Sequence, residues 1–516
     1  MAIKLVKDIL KVNEVKGRER VETLVETDMY LNRTKPEIEE ILWTDGKAEI
    51  MNVKIFQNKV LISGIIRLNT IYKSKEDTFR IYSAETTKDF SEEVEIEGIN
   101  EDMSSEVKVN LEYIENELVD ERKILLQALV NIDVKIEFTN SIEIAKSIEG
   151  EEGLQVLEEN VNYKETLASN ESSVLVKEAF ELESHMPDIE DVLKLQFQVF
   201  EEESKIVEDG LMVAGIVKST FIYLGGEKLN SIEEEMSFNH FIEMPRVEKD
   251  FKYYLNLEID NGDYELKEDI EGDLRIVDFE IKVKAMGRVY DELEKQVIVD
   301  AYSTSKKINI EKKEIYLLQS LQDFIIKENI STEIKDIDFE EIYSVESTPV
   351  LVDNRYMDEK IIIEGFLSTN IVYLEKNSKD IKTTQEEIPF KFYVDGTGDL
   401  DTEINIDVEC ILENLRYNLK DGELKIEGNL KNYVQVTSKK KINIIQEIES
   451  TDELINKKKR SSITVYIVQK EDILWDIAKR YNTTVEEIVL SNNLSSPDNL
   501  MPGEKIIIEK HVDMKF

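Results

Sequence analysis

Hydrophobic and polar residues alternate with a period of two along most of this chain, a pattern that predicts β-strands. One alternating run occurs three times, and each copy has a glycine in its middle and a tyrosine eight residues later. The runs are Val60–Tyr72, Leu211–Tyr223 and Ile361–Tyr373. Identical spacing in three places indicates an internal repeat. We therefore expect the glycines to occupy equivalent mid-strand positions, at a bulge or a close backbone approach, and the tyrosines to pack as strand aromatics. The glycines are Gly64, Gly215 and Gly365.

A second repeated segment precedes each run at a constant distance from the glycine. Its copies are Glu37–Leu42, Asp188–Leu193 and Asp338–Tyr343. Further period-two runs follow, and Asp-Gly and Asn-Gly dipeptides predict turns, so the repeats are predicted to be β-rich domains, sandwich or barrel-like. The predicted ranges are 1–29 for an N-terminal segment and 30–145, 180–312 and 333–450 for the three repeats. Residues 147–153 and the basic stretch 451–462 lack apolar periodicity and are predicted linkers.

The end of the chain has a different pattern, which predicts a small α+β (βααβ) domain over residues 463–510. Apolar residues alternate from Ile463, which predicts a strand, and a helix is expected to run to about Tyr481 with Asp472 as its N-cap. Thr483 and Thr484 each have a glutamate three positions on, so two capping-box registers are open for a second helix. That helix is expected to end at Asn492-Asn493, before a Pro-Gly turn and a return strand.

The residues from Thr464 to Glu509 closely resemble the LysM family in order and sequence. In glycan-binding members of the family, N-acetylglucosamine lies between a Gly-Asp-Thr loop before the first helix and the loop after the second. The first loop here is Glu471-Asp472-Ile473, which keeps the aspartate but replaces the glycine by a charged residue and the threonine by an apolar one. The resemblance thus favours a protein ligand over a sugar. The candidate partner-binding residues are Ile463, Asp472, Ile473, Trp475, Asn492 and Asn493.

Two of these candidates are expected to anchor the partner surface. Trp475 follows Leu474 by one position, about 100° round the helix from the core stripe, and should be only partly buried. Ile463 extends the apolar face of the first strand in a domain too small to cover it. The competing interpretation is that both side chains belong to the core.

Composition narrows the classes of partner. The 516 residues include 110 acidic and 65 basic ones, and the formal net charge of -45 disfavours nucleic acid and anionic lipid. No stretch reaches 18 uninterrupted apolar residues, and charges interrupt the N-terminal residues where a secretory signal would lie. The single cysteine, Cys410, is expected to be a small core residue in a reducing compartment. We therefore expect a cytoplasmic protein that is not inserted in a membrane.

Three acidic β-rich repeats followed by one LysM domain resemble the spore-coat morphogenetic family of SpoVID and SipL proteins, and the repeat resembles their SPOCS domain. The resemblance implies a mother-cell scaffold that encases the forespore and docks through LysM onto the coat-basement morphogenetic ATPase, with other coat proteins as further partners. Peptidoglycan binding and a glycosidase with LysM as a targeting module remain as alternatives. The three histidines show no metal-ligand spacing and the glycine loops lack a phosphate-binding motif, so no catalytic residue, metal or cofactor is expected.

Overall fold

Each repeat consists of six antiparallel strands arranged in two three-stranded sheets. The computed structural model describes residues 3–76, 80–150, 152–226, 228–378, 380–396, 404–456, 461–494 and 500–509. In every repeat the first, sixth and fifth strands form one sheet in that spatial order, and the second, third and fourth strands form the other. The first repeat comprises β1 (Lys4–Tyr30), β2 (Ile38–Phe56), β3 (Lys59–Ser74), β4 (Ile81–Glu95), β5 (Ser104–Asp120) and β6 (Lys123–Glu149). The second comprises β7 (Leu154–Glu181), β8 (Asp191–Val207), β9 (Gly210–Gly225), β10 (Lys228–Glu243), β11 (Lys252–Glu268) and β12 (Leu274–Ser303). The third comprises β13 (Lys306–Ile334), β14 (Phe339–Met357), β15 (Lys360–Glu375), β16 (Ile381–Asp395), β17 (Ile404–Lys420) and β18 (Glu423–Leu454).

The two sheets of each repeat face one another across a hydrophobic core. In the first repeat every second residue of β6 from Ile124 to Ile136 is buried, and these side chains share a core with Ile62 and Ile66 of β3. The sheet edges also approach, since β2 lies beside β5 and β1 beside β4. The predicted fold class of three β-rich repeats is confirmed, and each repeat is a β-sandwich with nearly closed edges.

The repeated glycines occupy the same place in all three repeats, on the central strands β3, β9 and β15. Gly64 pairs with Ile50, directly before a bulge in β2, and a Cβ at this glycine would lie 2.4 Å from the carbonyl oxygen of Glu49 and 2.5 Å from the ring of Phe90. Gly215 and Gly365 have the same bulge and the same phenylalanine cover. Both predicted features, the bulge and the close approach, are therefore present, and no larger residue fits without movement. The repeated tyrosines Tyr72, Tyr223 and Tyr373 are buried.

The strand pairings give each repeat a first strand that lies largely outside the predicted ranges. β1, β7 and β13 pair with the last strands β6, β12 and β18 of their own repeats. Residues assigned to an N-terminal segment thus belong to the first sandwich, and residues 147–149 and 451–454 continue strands instead of forming linkers. These strands carry frequent charges and no repeated anchor, which is why the sequence pattern does not reveal them. The basic run 457–460 lies outside the described residues.

The three repeats pack directly on one another. Trp43, Leu193 and Tyr343, which lie near the start of the second strand of each repeat, meet in one buried cluster. Beside it, the ammonium group of Lys194 lies 2.6 Å from a carboxylate oxygen of Asp45 in the first repeat and 2.6 Å from one of Glu346 in the third. A second cluster joins the far ends of the long strands of all three repeats. The sandwiches form one body in this part of the chain.

A cavity of about 1960 Å³ lies between the repeats, and ion pairs from different repeats cross its wall. Arg18 of the first repeat pairs with Asp407 of the third, and Arg288 of the second pairs with Glu137 of the first at 3.0 Å. Cys410 also lines the cavity. It was expected in the core, but it is partly buried and packs against the core of the third repeat from the cavity side, and burial raises the pKa of its thiol to about 12.

The C-terminal domain has the predicted βααβ order: β19 (Ile463–Ile467), α1 (Leu474–Tyr481), α2 (Val485–Asn492) and β20 (Lys505–Glu509). β19 and β20 form an antiparallel pair. Thr484 and Glu487 form the capping box of α2, which selects one of the two predicted registers. The predicted N-cap of α1 is wrong, because Ile473 occupies that position and offers no side-chain acceptor.

Candidate partner-binding site on the C-terminal domain

One face of the two-stranded sheet is aliphatic and open to solvent. Ile463, Val465 and Ile467 of β19 and Ile507 of β20 project from it, and the exposed fraction of Ile463 is 59%. Val465 pairs with Ile507, so these side chains are cross-strand neighbours. The opposite face carries Ile506 and Ile508 into the core formed with the two helices. A sheet of two strands with helices on one side only leaves its other side uncovered.

The loop before α1 holds the partly exposed carboxylate of Asp472 by hydrogen bonds within the domain. The Asp472 carboxylate accepts hydrogen bonds from the Gln469 backbone amide at 2.8 Å and from the Tyr466 hydroxyl at 2.7 Å. These two hydrogen bonds hold the pKa of Asp472 below its usual value, and the bond from the Gln469 amide has the larger effect. The carboxylate therefore ties β19 to the loop and does not cap α1. Ile473 beside it is half exposed.

Asn492 and Asn493 both have structural contacts. The Asn492 side-chain amide donates to the carbonyl oxygens of Ile488 and Ile507, and its oxygen accepts from the Ile507 amide at 2.7 Å. This group joins the end of α2 to β20. Asn493 has φ 52° and ends the helix in the left-handed conformation. The hydrogen-bonding groups of the Asn492 side chain are thus occupied within the domain.

Trp475 is covered by another part of the same chain. Only 8% of its surface is exposed, because Tyr302 of the second repeat packs edge-to-face on the indole with 4.8 Å between ring centroids. The indole N–H donates to the carboxylate of Asp300 at 2.8 Å. The expectation of a partly buried Trp475 with a free edge is therefore wrong, although the edge does meet a protein surface. Sequence reasoning missed Asp300 and Tyr302, for which no local motif gives a signal.

Within the described ranges, no group of three or more histidine, cysteine, aspartate or glutamate side chains is placed to hold a metal ion. Neither of the two helices there is long and apolar enough to span a bilayer.

Comparisons with known proteins agree with this architecture. The SipL SPOCS domain matches residues 37–119, 188–267 and 338–420, and the LysM domain matches residues 466–509. SpoIVD-associated factor A of Bacillus subtilis (strain 168) is 54% identical over 43 residues, which are 8% of this chain and 11% of that protein. Spore coat assembly protein ExsA of Bacillus cereus is 47% identical over 53 residues, which are 10% of this chain and 8% of that protein. The alignments thus span about a tenth of each relative. No solved structure gives a significant match.

Proposed function

Because this SipL-like chain joins three SPOCS domains to a LysM domain, we propose that it is a non-enzymatic scaffold of spore-coat assembly. Its LysM domain docks onto the coat-basement morphogenetic ATPase, and other coat proteins are further partners. It acts in the mother-cell cytoplasm, at the surface of the forespore. The names of the two relatives, one SpoIVD-associated and one a spore coat assembly protein, support the coat-assembly part of this proposal.

The exposed aliphatic face of the LysM sheet is the observation that carries the docking proposal. Ile463, Val465, Ile467 and Ile507 lie together on it, with Lys505 and Glu509 on the same face. Adjacent exposed aliphatic side chains with charged neighbours are typical of protein interfaces. The loop that holds sugar in the family has lost its threonine hydroxyl to Ile473. A protein surface fits this domain better than a glycan.

Replacing one exposed side chain of that face tests the proposal. In the full chain we expect Ile463→Arg to weaken binding of the purified ATPase at least about tenfold, because it places a charge in an apolar contact. Leu490→Arg is the matched control, since Leu490 is another aliphatic residue, 76% exposed, but on α2. Calorimetric titration measures the affinity, and thermal melting verifies that both variants are folded. If the two variants bind the ATPase with equal affinity, the sheet face is not the docking site.

The LysM match itself favours a second candidate, the binding of peptidoglycan through N-acetylglucosamine. Titration of the full chain with N-acetylglucosamine oligomers separates the two functions. We expect no micromolar binding. If the oligomers bind with micromolar affinity and the ATPase does not bind, the peptidoglycan function replaces the scaffold proposal.

A further inference from the structure

Helix α1 of the LysM domain is seated on the end of β12 in the second repeat. Asp300 is the centre of the contact. Its carboxylate accepts a hydrogen bond from the Trp475 indole and two from the Lys479 ammonium group, with nitrogen–oxygen distances of 2.8 and 2.6 Å for the lysine. The Tyr302 hydroxyl donates to the backbone carbonyl oxygen of Thr483 at 2.7 Å. Asp300 and Tyr302 are 6% and 4% exposed. Two side chains of one strand therefore hold the first helix of the domain.

The equivalent positions in the other repeats show that these two residues are not required by the sandwich. β6, β12 and β18 each contain a bulge near their ends, and the first paired residues after the bulge are Ser147, Asp300 and Glu447. Two positions further on, the residues are Glu149, Tyr302 and Glu449, and both glutamates are exposed. The strand thus forms with a serine or glutamate at the first position and a glutamate at the second. An aspartate followed by a tyrosine occurs only in the repeat that the LysM domain covers.

The Asp300 carboxylate has a second cation that does not belong to the LysM domain. Lys312 of β13 also lies 2.8 Å from the Asp300 carboxylate, and it stays in the repeats when the LysM domain leaves. If the LysM domain leaves, water can reach Asp300 while Lys312 still pairs with it, so the carboxylate is not left as an unpaired buried charge. On the LysM side, opening uncovers Trp475 next to Lys479. Tryptophan is one of the residues that most often dominate the binding energy of an interface.

We propose that the LysM domain is a reversible ligand of its own second repeat, and that a protein partner presenting a carboxylate beside an aromatic ring competes with Asp300 and Tyr302 for the same face of α1. The second repeat defines the chemistry of that partner, because it supplies both groups to Trp475 and Lys479. In the closed state the aliphatic sheet face stays open while the α1 face is occupied, so a partner that uses both faces is held through the sheet face alone until α1 is released. The competition rests on the proposed function, in which the partner is the ATPase, whereas the intramolecular docking does not.

The test gives the second repeat the residues of the first. In the full chain, Asp300→Ser with Tyr302→Glu copies Ser147 and Glu149, which the same fold already accommodates. Both changes lie outside the LysM domain, so its own surfaces are intact. Asp278→Asn is the control, because Asp278 is a carboxylate of the same strand that pairs with Lys267 away from the LysM domain. The chain has two tryptophans, so a Trp43→Phe background makes Trp475 the sole tryptophan reporter.

We expect the double variant to shift the fluorescence emission of Trp475 to the red and to raise the affinity for the purified ATPase about tenfold, because the binding-competent state is no longer occupied by the repeat. The control should change neither value. Unchanged emission in a folded double variant would overturn the docking. A red shift with unchanged or weaker ATPase binding would overturn the competition. If the ATPase binds neither form, the proposed function and the competition with this ATPase fail together, while the emission still decides the docking.

Discussion

Glu471 holds a backbone conformation that the LysM pattern gives to glycine. Its φ is 74°, in the left-handed region where a Cβ is crowded by the backbone. In the turn that follows, the Asp472 carboxylate accepts hydrogen bonds from the Gln469 amide and the Tyr466 hydroxyl. Glu471 thus lowers local stability and places a charged side chain at the loop that contacts the sugar in glycan-binding members of the family.

Glycine at this position should relieve the strain. We expect Glu471→Gly to stabilise the LysM domain by about 1 kcal/mol, measured as slower hydrogen exchange of the β19 and α1 amides in the full chain. Glu471→Ala is the control, because it removes the charge and keeps the Cβ, and it should not stabilise. If alanine stabilises as much as glycine, the charge and not the backbone causes the strain.

At the level of elements, the sequence is informative where a structure depends on neighbouring residues. The Thr484–Glu487 capping box and the position of Gly64 at a bulge follow from local spacing, and both are present. The cover of Trp475 depends on Asp300, 175 residues earlier, and no periodicity links the two. The first strand of each repeat was not predicted either, because its pairing partner is the last strand of the repeat. The sequence pattern does not predict which segments distant in the chain pair with one another.

Asn492 shows the same difference between a family motif and an observed contact. It was predicted as a binding residue, yet its side-chain amide links β20 to α2 through hydrogen bonds. We expect Asn492→Asp to destabilise the LysM domain by about 1–3 kcal/mol, because a carboxylate cannot donate to the Ile488 and Ile507 carbonyl oxygens. Hydrogen exchange of β20 measures the loss. Asn493→Gly is the comparison and should cost little, since glycine accepts the left-handed cap. Weaker ATPase binding of Asn492→Asp with unchanged exchange would restore its predicted binding role.

For the whole molecule, the contacts between repeats decide whether the sandwiches act singly or together. A chain of separate domains would keep its charged groups at the surface, whereas Lys194 lies 10% exposed between carboxylates of the first and third repeats. Burial acts to lower the pKa of Lys194, but the two carboxylates outweigh it and raise this pKa. The ammonium group is therefore the charged link that holds three repeats at one point.

Removing this cation should weaken all three repeats at once. We expect Lys194→Met to lower the free energy of unfolding by about 3–5 kcal/mol, because Asp45 and Glu346 lose their shared counter-ion inside the molecule. Urea unfolding of the full chain measures the change. Lys205→Met is the matched control: Lys205 pairs with Glu203 at 3.8 Å on the surface and should cost less than about 1 kcal/mol. Adding Asp45→Asn and Glu346→Gln to Lys194→Met should recover part of the loss, since neutral amides need no counter-ion. A Lys194→Met variant as stable as the Lys205→Met control would show that the repeats do not depend on this contact.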